Sequence, residues 1–264
     1  MSGHLPRHVD AFLGGRIEAL QPEGHHHAGL EAMLLSAAVP SDFAGSVIDL
    51  GAGAGIAGMA VAARAPHAEV TLVERDATAI AAARESLARP GNAAFAARVT
   101  IVATDIAAPE AERIAAGLGR AFADIVVMNP PFRDPNAGTK SPHAERRAAH
   151  VLEEGALDAW VRTAASALKP GGHIVIIFRA DGLGEILTAL AGRFGAVAIL
   201  PIHPRAALAA GRILVAAEKG SNAPSRILPG LTLHTDTGNT YLPEAERLLR
   251  HGASLSDVHP SWSL

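Results

Sequence analysis

Cysteine is absent from the 264 residues, so the chain has no disulfide, no thiol nucleophile and no cysteine-ligated metal. A reducing cytoplasm suits such a chain. Aromatic residues are only 4% of the total, with one tyrosine and two tryptophans. Hydrophobic residues still reach 49%, so a sizeable core must be built mainly from aliphatic side chains and alanine. The net charge of −3 provides no global basic field, and any contact with a polyanion must rest on a local patch. No apolar run approaches the roughly 18 residues of a membrane helix, so no membrane partner is expected. The opening stretch MSGHLPRHVDAFLGGR lacks the apolar segment of a signal peptide. No internal repeat recurs at solenoid spacing.

What is present is alternation. Short β-branched runs occupy 46–50, 69–74, 98–103, 123–128, 172–178, 196–202 and 211–219. Most lack strict polar alternation, which predicts strands covered on both faces. Alanine-rich helical stretches lie between them, at 56–65, 76–88, 110–119, 144–168 and 183–193. This order predicts an α/β fold with a doubly wound, mostly parallel, seven-stranded sheet. Only HPRAALAA separates the last two strands. That is too short for a parallel crossover, so the final pair is expected to be antiparallel. The chain reads as a single domain: a short N-terminal cap (1–40) with a helix near 28–38, a core (41–220) and a C-terminal appendage (221–264). In the appendage, LTLHTDTGNTYL predicts a small hairpin turning at Thr237–Asn239, and PEAERLLRHG a last helix. Trp160 is expected on the core face of its helix, and Trp262 to tie down the tail.

The stretch VIDLGAGAGIAGMAVAAR is strand, glycine turn, helix. Gly51, Gly53 and Gly55 permit a tight turn and the close approach of a ligand, and the helix start offers free N–H groups. Gly53, Gly55 and Gly58 match the dinucleotide pattern G-x-G-x-x-G, and Glu74 follows at the fingerprint spacing. A nicotinamide-dependent dehydrogenase therefore stays open on this loop alone. Glu74, at a strand end, suits a ribose diol, because a carboxylate accepts from both hydroxyls. With Asp49 two residues before Gly51, the wording D-L-G-A-G-A-G resembles the first motif of class I S-adenosylmethionine-dependent methyltransferases. That resemblance implies S-adenosyl-L-methionine as cofactor, held along Asp49, Gly51, Ala52, Gly53 and Gly55. It also implies contacts from Glu74 with Arg75, from Asp105 with Ile106 at the adenine, and from Asn129.

The fourth strand ends in VVMNPPFRDP. Two prolines remove two backbone donors and stiffen the chain, and Asn129 before a proline is pushed toward an extended conformation. An Asn-Pro turn that merely ends the strand is the plain alternative. Asn129, Pro130, Pro131 and Phe132 resemble the (N/D/S)-P-P-(Y/F/W) motif of methyltransferases acting on planar exocyclic nitrogens. An amine conjugated with a ring is a poor nucleophile, and it improves when both of its N–H bonds donate to fixed acceptors. Asn129 Oδ1 and the Pro130 carbonyl are the candidates, held rigid by the diproline. Phe132 offers a stacking face for a base.

The lead-in GHHHAGLEAMLLSAAVP, the downstream ERRAAH and the segment LPIHPRAALAAGRILVAAEKGS resemble tRNA adenine-N6 methyltransferases, over about residues 14–220. The resemblance implies a nucleic acid substrate, a tRNA. Arg133, Lys140, Arg146 and Arg147 suit phosphate contacts, against the plain reading of a solvated charged loop. His25, His26 and His27 depart from the usual family wording. Adjacent histidines do not converge well on one metal, so a solvated loop or a lid is expected and no metal. A guanine amine of rRNA, a protein glutamine amide and a non-catalytic binding module remain as alternatives. The sequence leaves the oligomeric state open, monomer or homodimer.

Overall fold

All seven β-branched runs form strands in the computed structural model, which describes residues 7–22, 29–131 and 156–264. They are β3 (Ala44–Leu50), β4 (His67–Glu74), β5 (Val99–Ala103), β6 (Ala123–Met128), β7 (Leu168–Arg179), β8 (Phe194–His203) and β9 (Arg212–Lys219). An N-terminal hairpin, β1 (Arg7–Phe12) and β2 (Ile17–Pro22), precedes them, and two-residue strands β10 (Arg226–Ile227) and β11 (Leu231–Thr232) follow. The main sheet runs β10-β8-β9-β7-β6-β3-β4-β5, with β11 also on β8. Only β9 is antiparallel to its neighbours β7 and β8, as the short connection requires.

Successive side chains point to opposite faces, and each face is covered. Val47, Val70, Val127, Val175 and Leu214 join one cluster with the helices Leu30–Ala37 and Ile56–Arg64. Ile48, Val73, Val126, Ile176 and Val215 join another with the helices Ala156–Ala167 and Leu183–Leu190. Two-sided burial explains the continuous apolar wording of the strands. The described part of the fourth expected helix begins at Ala156, and the rest of that expectation lies outside the described residues. The helix from 110 ends at Ala115 rather than 119. β7 starts at Leu168, directly after its helix. The Pro170–Gly172 turn becomes a register irregularity within the strand, with Ala123 opposite Leu168 and then Ile125 opposite His173.

The cap is more than a helix. The hairpin β1–β2 lies against the helix Ala77–Leu87, and its outer edge is closed by side chains. Glu18 N donates to Asn92 Oδ1 at 3.0 Å and Leu20 N to Ser86 Oγ at 2.9 Å. Fully buried Asn92 and Ser86 thus do the work of a neighbouring strand. At the other end the appendage extends the sheet edge through β10 and β11. His234 and Tyr241 form the expected hairpin as a single antiparallel bridge, and the helix Pro243–Leu249 follows. Trp262 is 3% exposed and donates Nε1–H to the Ala38 carbonyl at 3.0 Å. Buried Arg64 binds the carbonyls of Ser36 and Gly252, tying the tail to the lead-in helix. Among the described residues no helix is long and apolar enough to cross a membrane.

Candidate active site at the carboxyl edge of the sheet

Register places four strand ends side by side. Leu50 is opposite Met128 on one side and Val73 on the other, and Glu74 is opposite Ala103. The residues just beyond, Asn129, Gly51, Glu74 and Asp105, therefore line one edge of β6, β3, β4 and β5 in that order. Three strand spacings separate the outer pair, roughly 14 Å. This is the edge at which open α/β sheets take ligands.

The glycine loop has a defined cause. Gly51, Gly53 and Gly55 have φ of +76°, +55° and +82°, where a side chain is disfavoured. Gly51 N and Ala52 N both donate to the Val73 carbonyl at 2.9 Å, which folds the loop back over β4. An ideal Cβ on Gly53 would meet nothing within 4 Å, so the loop is open to a ligand there. Gly55, the residue before the helix Ile56–Arg64, has no side chain to cap it. Asp49 supplies the cap from the strand: its Oδ2 accepts from Gly58 N at 2.8 Å, two residues into the first turn. Gly58 is needed for this approach, since a Cβ there would stand 2.2 Å from Leu72 Cδ2 and 3.2 Å from Asp49 Cβ. Gly58 thus packs the helix onto the strand.

Asp49 is 3% exposed. Its carboxyl is pushed up to about 7, chiefly by burial and further by the Glu74 charge, against the lowering effect of the Gly58 N–H. A carboxyl whose pKa rises on folding contributes most below its unfolded value near 3.8. That contribution is lost as pH rises through about 7. Asn keeps an acceptor for Gly58 N without the charge. Asp49→Asn should therefore gain on the parent by roughly 2–4 kcal/mol between pH 4 and 8. Urea unfolding at the two pH values checks this, and a constant difference between the proteins would contradict it.

Glu74 is half-buried. Its Oε2 accepts from Gly53 N at 2.8 Å, and its Oε1 from Arg75 N at 2.8 Å and Asp76 N at 2.9 Å. The carboxylate thereby spans from its own strand end to the glycine loop. Asp105 accepts from Ala107 N at 2.8 Å and from Arg75 Nη1 at 2.8 Å. Partial burial raises the Asp105 carboxyl, but the Arg75 hydrogen bond, the Ala107 N–H and the Arg75 charge lower it further, so the net shift is downward. Arg75 thus bridges the ends of β4 and β5. Ile106 is 7% exposed, and its carbonyl accepts from buried Thr163 at 2.9 Å. Sequence reasoning did not find Thr163; a threonine inside an alanine-rich helix offers no pattern to follow.

Asn129 is half-buried, Pro130 buried and Pro131 half-buried. Asn129 directly follows β6, whose Ile125 and Val127 face the cluster beneath the lead-in helix. Phe132, Arg133, Lys140, Arg146 and Arg147 lie outside the described residues, as do His25, His26 and His27. A cavity of about 300 Å³, lined in part by Phe43, Asp124, Lys169 and His173, opens at the opposite, amino edge. There Asp124 pairs with Lys169 at 2.8 Å and accepts from Ser46 N at 2.9 Å, a contact that holds strand starts together.

The sequence model of the methyltransferase small domain matches residues 29–203. A solved structure of a predicted O-methyltransferase from Agrobacterium tumefaciens is 38% identical, with a TM-score of 0.73, and covers 84% of this chain and 97% of that one. The tRNA1(Val) (adenine(37)-N6)-methyltransferase of Porphyromonas gingivalis is 29% identical over 182 residues, 67% of this chain and 68% of its own length. The release factor glutamine methyltransferase of Geobacter sulfurreducens is 32% identical over 155 residues, 56% of this chain and 49% of its own.

Proposed function

The chain belongs to the methyltransferase small domain family and is an S-adenosylmethionine-dependent methyltransferase, and from that premise we propose that it methylates an exocyclic base amine, adenine N6 in a tRNA. The carrying observation is the register that sets Asn129 beside Gly51. Acceptor-side and donor-side groups stand on adjacent strands. The dehydrogenase reading accounts for Gly53, Gly55, Gly58 and Glu74 but leaves Asn129–Phe132 without a purpose, and the family excludes it.

The glycine loop suits the cofactor, because Gly53 leaves open the space a Cβ would fill. Gly51–Gly55 would hold the methionine portion, Glu74 the ribose hydroxyls, and Asp105 with Ile106 the adenine. Glu74 Oε1 already accepts two backbone N–H bonds, but its Oε2 and both oxygens of Asp105 accept only one each and keep a lone pair to offer. When bound, S-adenosylmethionine supplies a methyl group already activated by its sulfonium. What remains for the chain is to position and polarise the acceptor. Asn129 Oδ1 and the Pro130 carbonyl accept the two amine hydrogens, which localises the nitrogen lone pair for attack. The diproline fixes both acceptors beforehand, so little reorganisation accompanies transfer. Phe132 stacks the base, worth about 1–3 kcal/mol, and Arg133, Lys140, Arg146 and Arg147 contact backbone phosphates.

An amide oxygen followed by a carbonyl is a pair of acceptors. It suits an N–H₂ donor better than the single O–H of an oxygen acceptor, which favours nitrogen chemistry. The test is nucleoside analysis of RNA from cells with and without this protein, followed by transfer in vitro from labelled S-adenosylmethionine. The expected result is loss of one N6-methyladenosine in tRNA and its restoration by the purified protein. Label in methylguanosine, in a glutamine amide or in an oxygen-linked methyl would overturn the substrate assignment.

A further inference from the structure

The helix Ala156–Ala167 carries two side chains to the cofactor loops. Its core face is filled by Leu157, Val161 and Ala164. Trp160 packs against the same core cluster, as expected, and is half-buried there. An ideal Cβ on Gly51 would lie 2.2 Å from Trp160 Cη2 and 2.7 Å from its Cζ3, with Ile106 Cδ1 at 3.3 Å. The benzenoid edge of the indole therefore rests directly on the Gly51 backbone and adjoins Ile106. Three residues on, and so on the same side of the helix, Thr163 holds the Ile106 carbonyl at 2.9 Å. One helix face thus braces both the loop after β3 and the loop after β5.

Trp160 packs against the cluster that includes Ile106, Leu157 and Val161 but is only partly buried, and its ring lies on Gly51 of the loop that would hold the cofactor. Gly51 is shaped to it, having no Cβ where the ring lies. A broad apolar surface in such a place excludes water from one side of a polar cleft and offers an adenosyl group dispersion contact. We infer that Trp160 forms a wall of the donor cleft, contacts the adenosyl portion of S-adenosylmethionine and sets cofactor affinity, with Thr163 as a positioning residue for Ile106. This rests on the reading that the cofactor occupies the Gly51–Gly55 loop.

The chain has only two tryptophans, and the other, Trp262, is buried against Ala38 in the tail. In Trp262→Phe all indole emission comes from Trp160. Titration with S-adenosylhomocysteine should then change that emission saturably, with the dissociation constant that calorimetry gives. Trp160→Ala should weaken S-adenosylhomocysteine about tenfold while kcat at saturating cofactor falls less than about threefold, and Trp160→Phe should restore most of the affinity. If Trp262→Phe does not fold, fluorotryptophan in the unmodified chain gives two fluorine resonances, and the one missing from Trp160→Phe should move on binding. Calorimetric binding with no response from Trp160 overturns the inference. So does Trp160→Ala that melts earlier but binds S-adenosylhomocysteine as tightly as the parent, for then the ring is only structural. Absence of any calorimetric binding would instead remove the cofactor reading itself.

Discussion

Asn129→Ala leaves S-adenosylhomocysteine affinity within about threefold of the parent, while kcat for methyl transfer falls about 10²–10³-fold. The magnitude follows from the loss of one preorganised polar partner of the reacting group. The split follows from position. Asn129 lies past the end of β6, whereas the loop that would hold the cofactor stands on β3 and β4 with its own hydrogen bonds to Val73 and Glu74. Removing the amide touches none of these. The effect belongs in kcat because the acceptor pair acts most strongly as the amine pyramidalises. Single-turnover rates with calorimetry check both halves. Equal losses in binding and turnover would make Asn129 a cofactor ligand instead, and unchanged turnover would leave the diproline corner as a strand terminator.

Gly51→Ala should destabilise the fold by about 2–5 kcal/mol, a large effect for adding one methyl group. Two causes add. With φ at +76°, a Cβ brings left-handed strain of about 1–2 kcal/mol. The same Cβ would stand 2.2 Å from the Trp160 ring, and overpacking of this kind costs about 1–3 kcal/mol. The causes separate in a double-mutant cycle. Trp160→Ala removes the clash but not the strain, so Gly51→Ala in that background should cost only about 1–2 kcal/mol. Urea unfolding of the four proteins measures the coupling. A cost below about 1 kcal/mol in the parent background, or equal costs in both, would contradict the contact.

Much of the fold was legible because its strands are covered on both faces. Continuous aliphatic runs such as Ile174–Ile177 and Leu214–Val215 announce two-sided burial. An eight-residue link between the last two strands forces them to run antiparallel. The hairpin β1–β2 was not legible. Its edge is satisfied by Asn92 and Ser86, 74 and 66 residues away, and no local pattern encodes a partner so distant. β10 and β11 are two residues each, too short for any periodicity. At the candidate site, spacing pointed to Glu74, and the resemblance to methyltransferase motifs pointed to Asp49, Asp105 and Asn129. Neither revealed that Asp49 caps the following helix, that Arg75 links Glu74's strand to Asp105, or that Trp160 leans on Gly51. Each depends on two segments meeting in space, and a single sequence carries no record of the meeting.

The central claim is that the end of β6 presents its amide to a donor held on β3 and β4. A crystal structure of the protein with S-adenosylhomocysteine tests it most directly. The homocysteine sulfur should lie within about one strand spacing, roughly 5 Å, of the Asn129 side chain, with the ribose at Glu74. A ligand seated beyond β7, or an Asn129 amide turned into the core away from the sulfur, would contradict it.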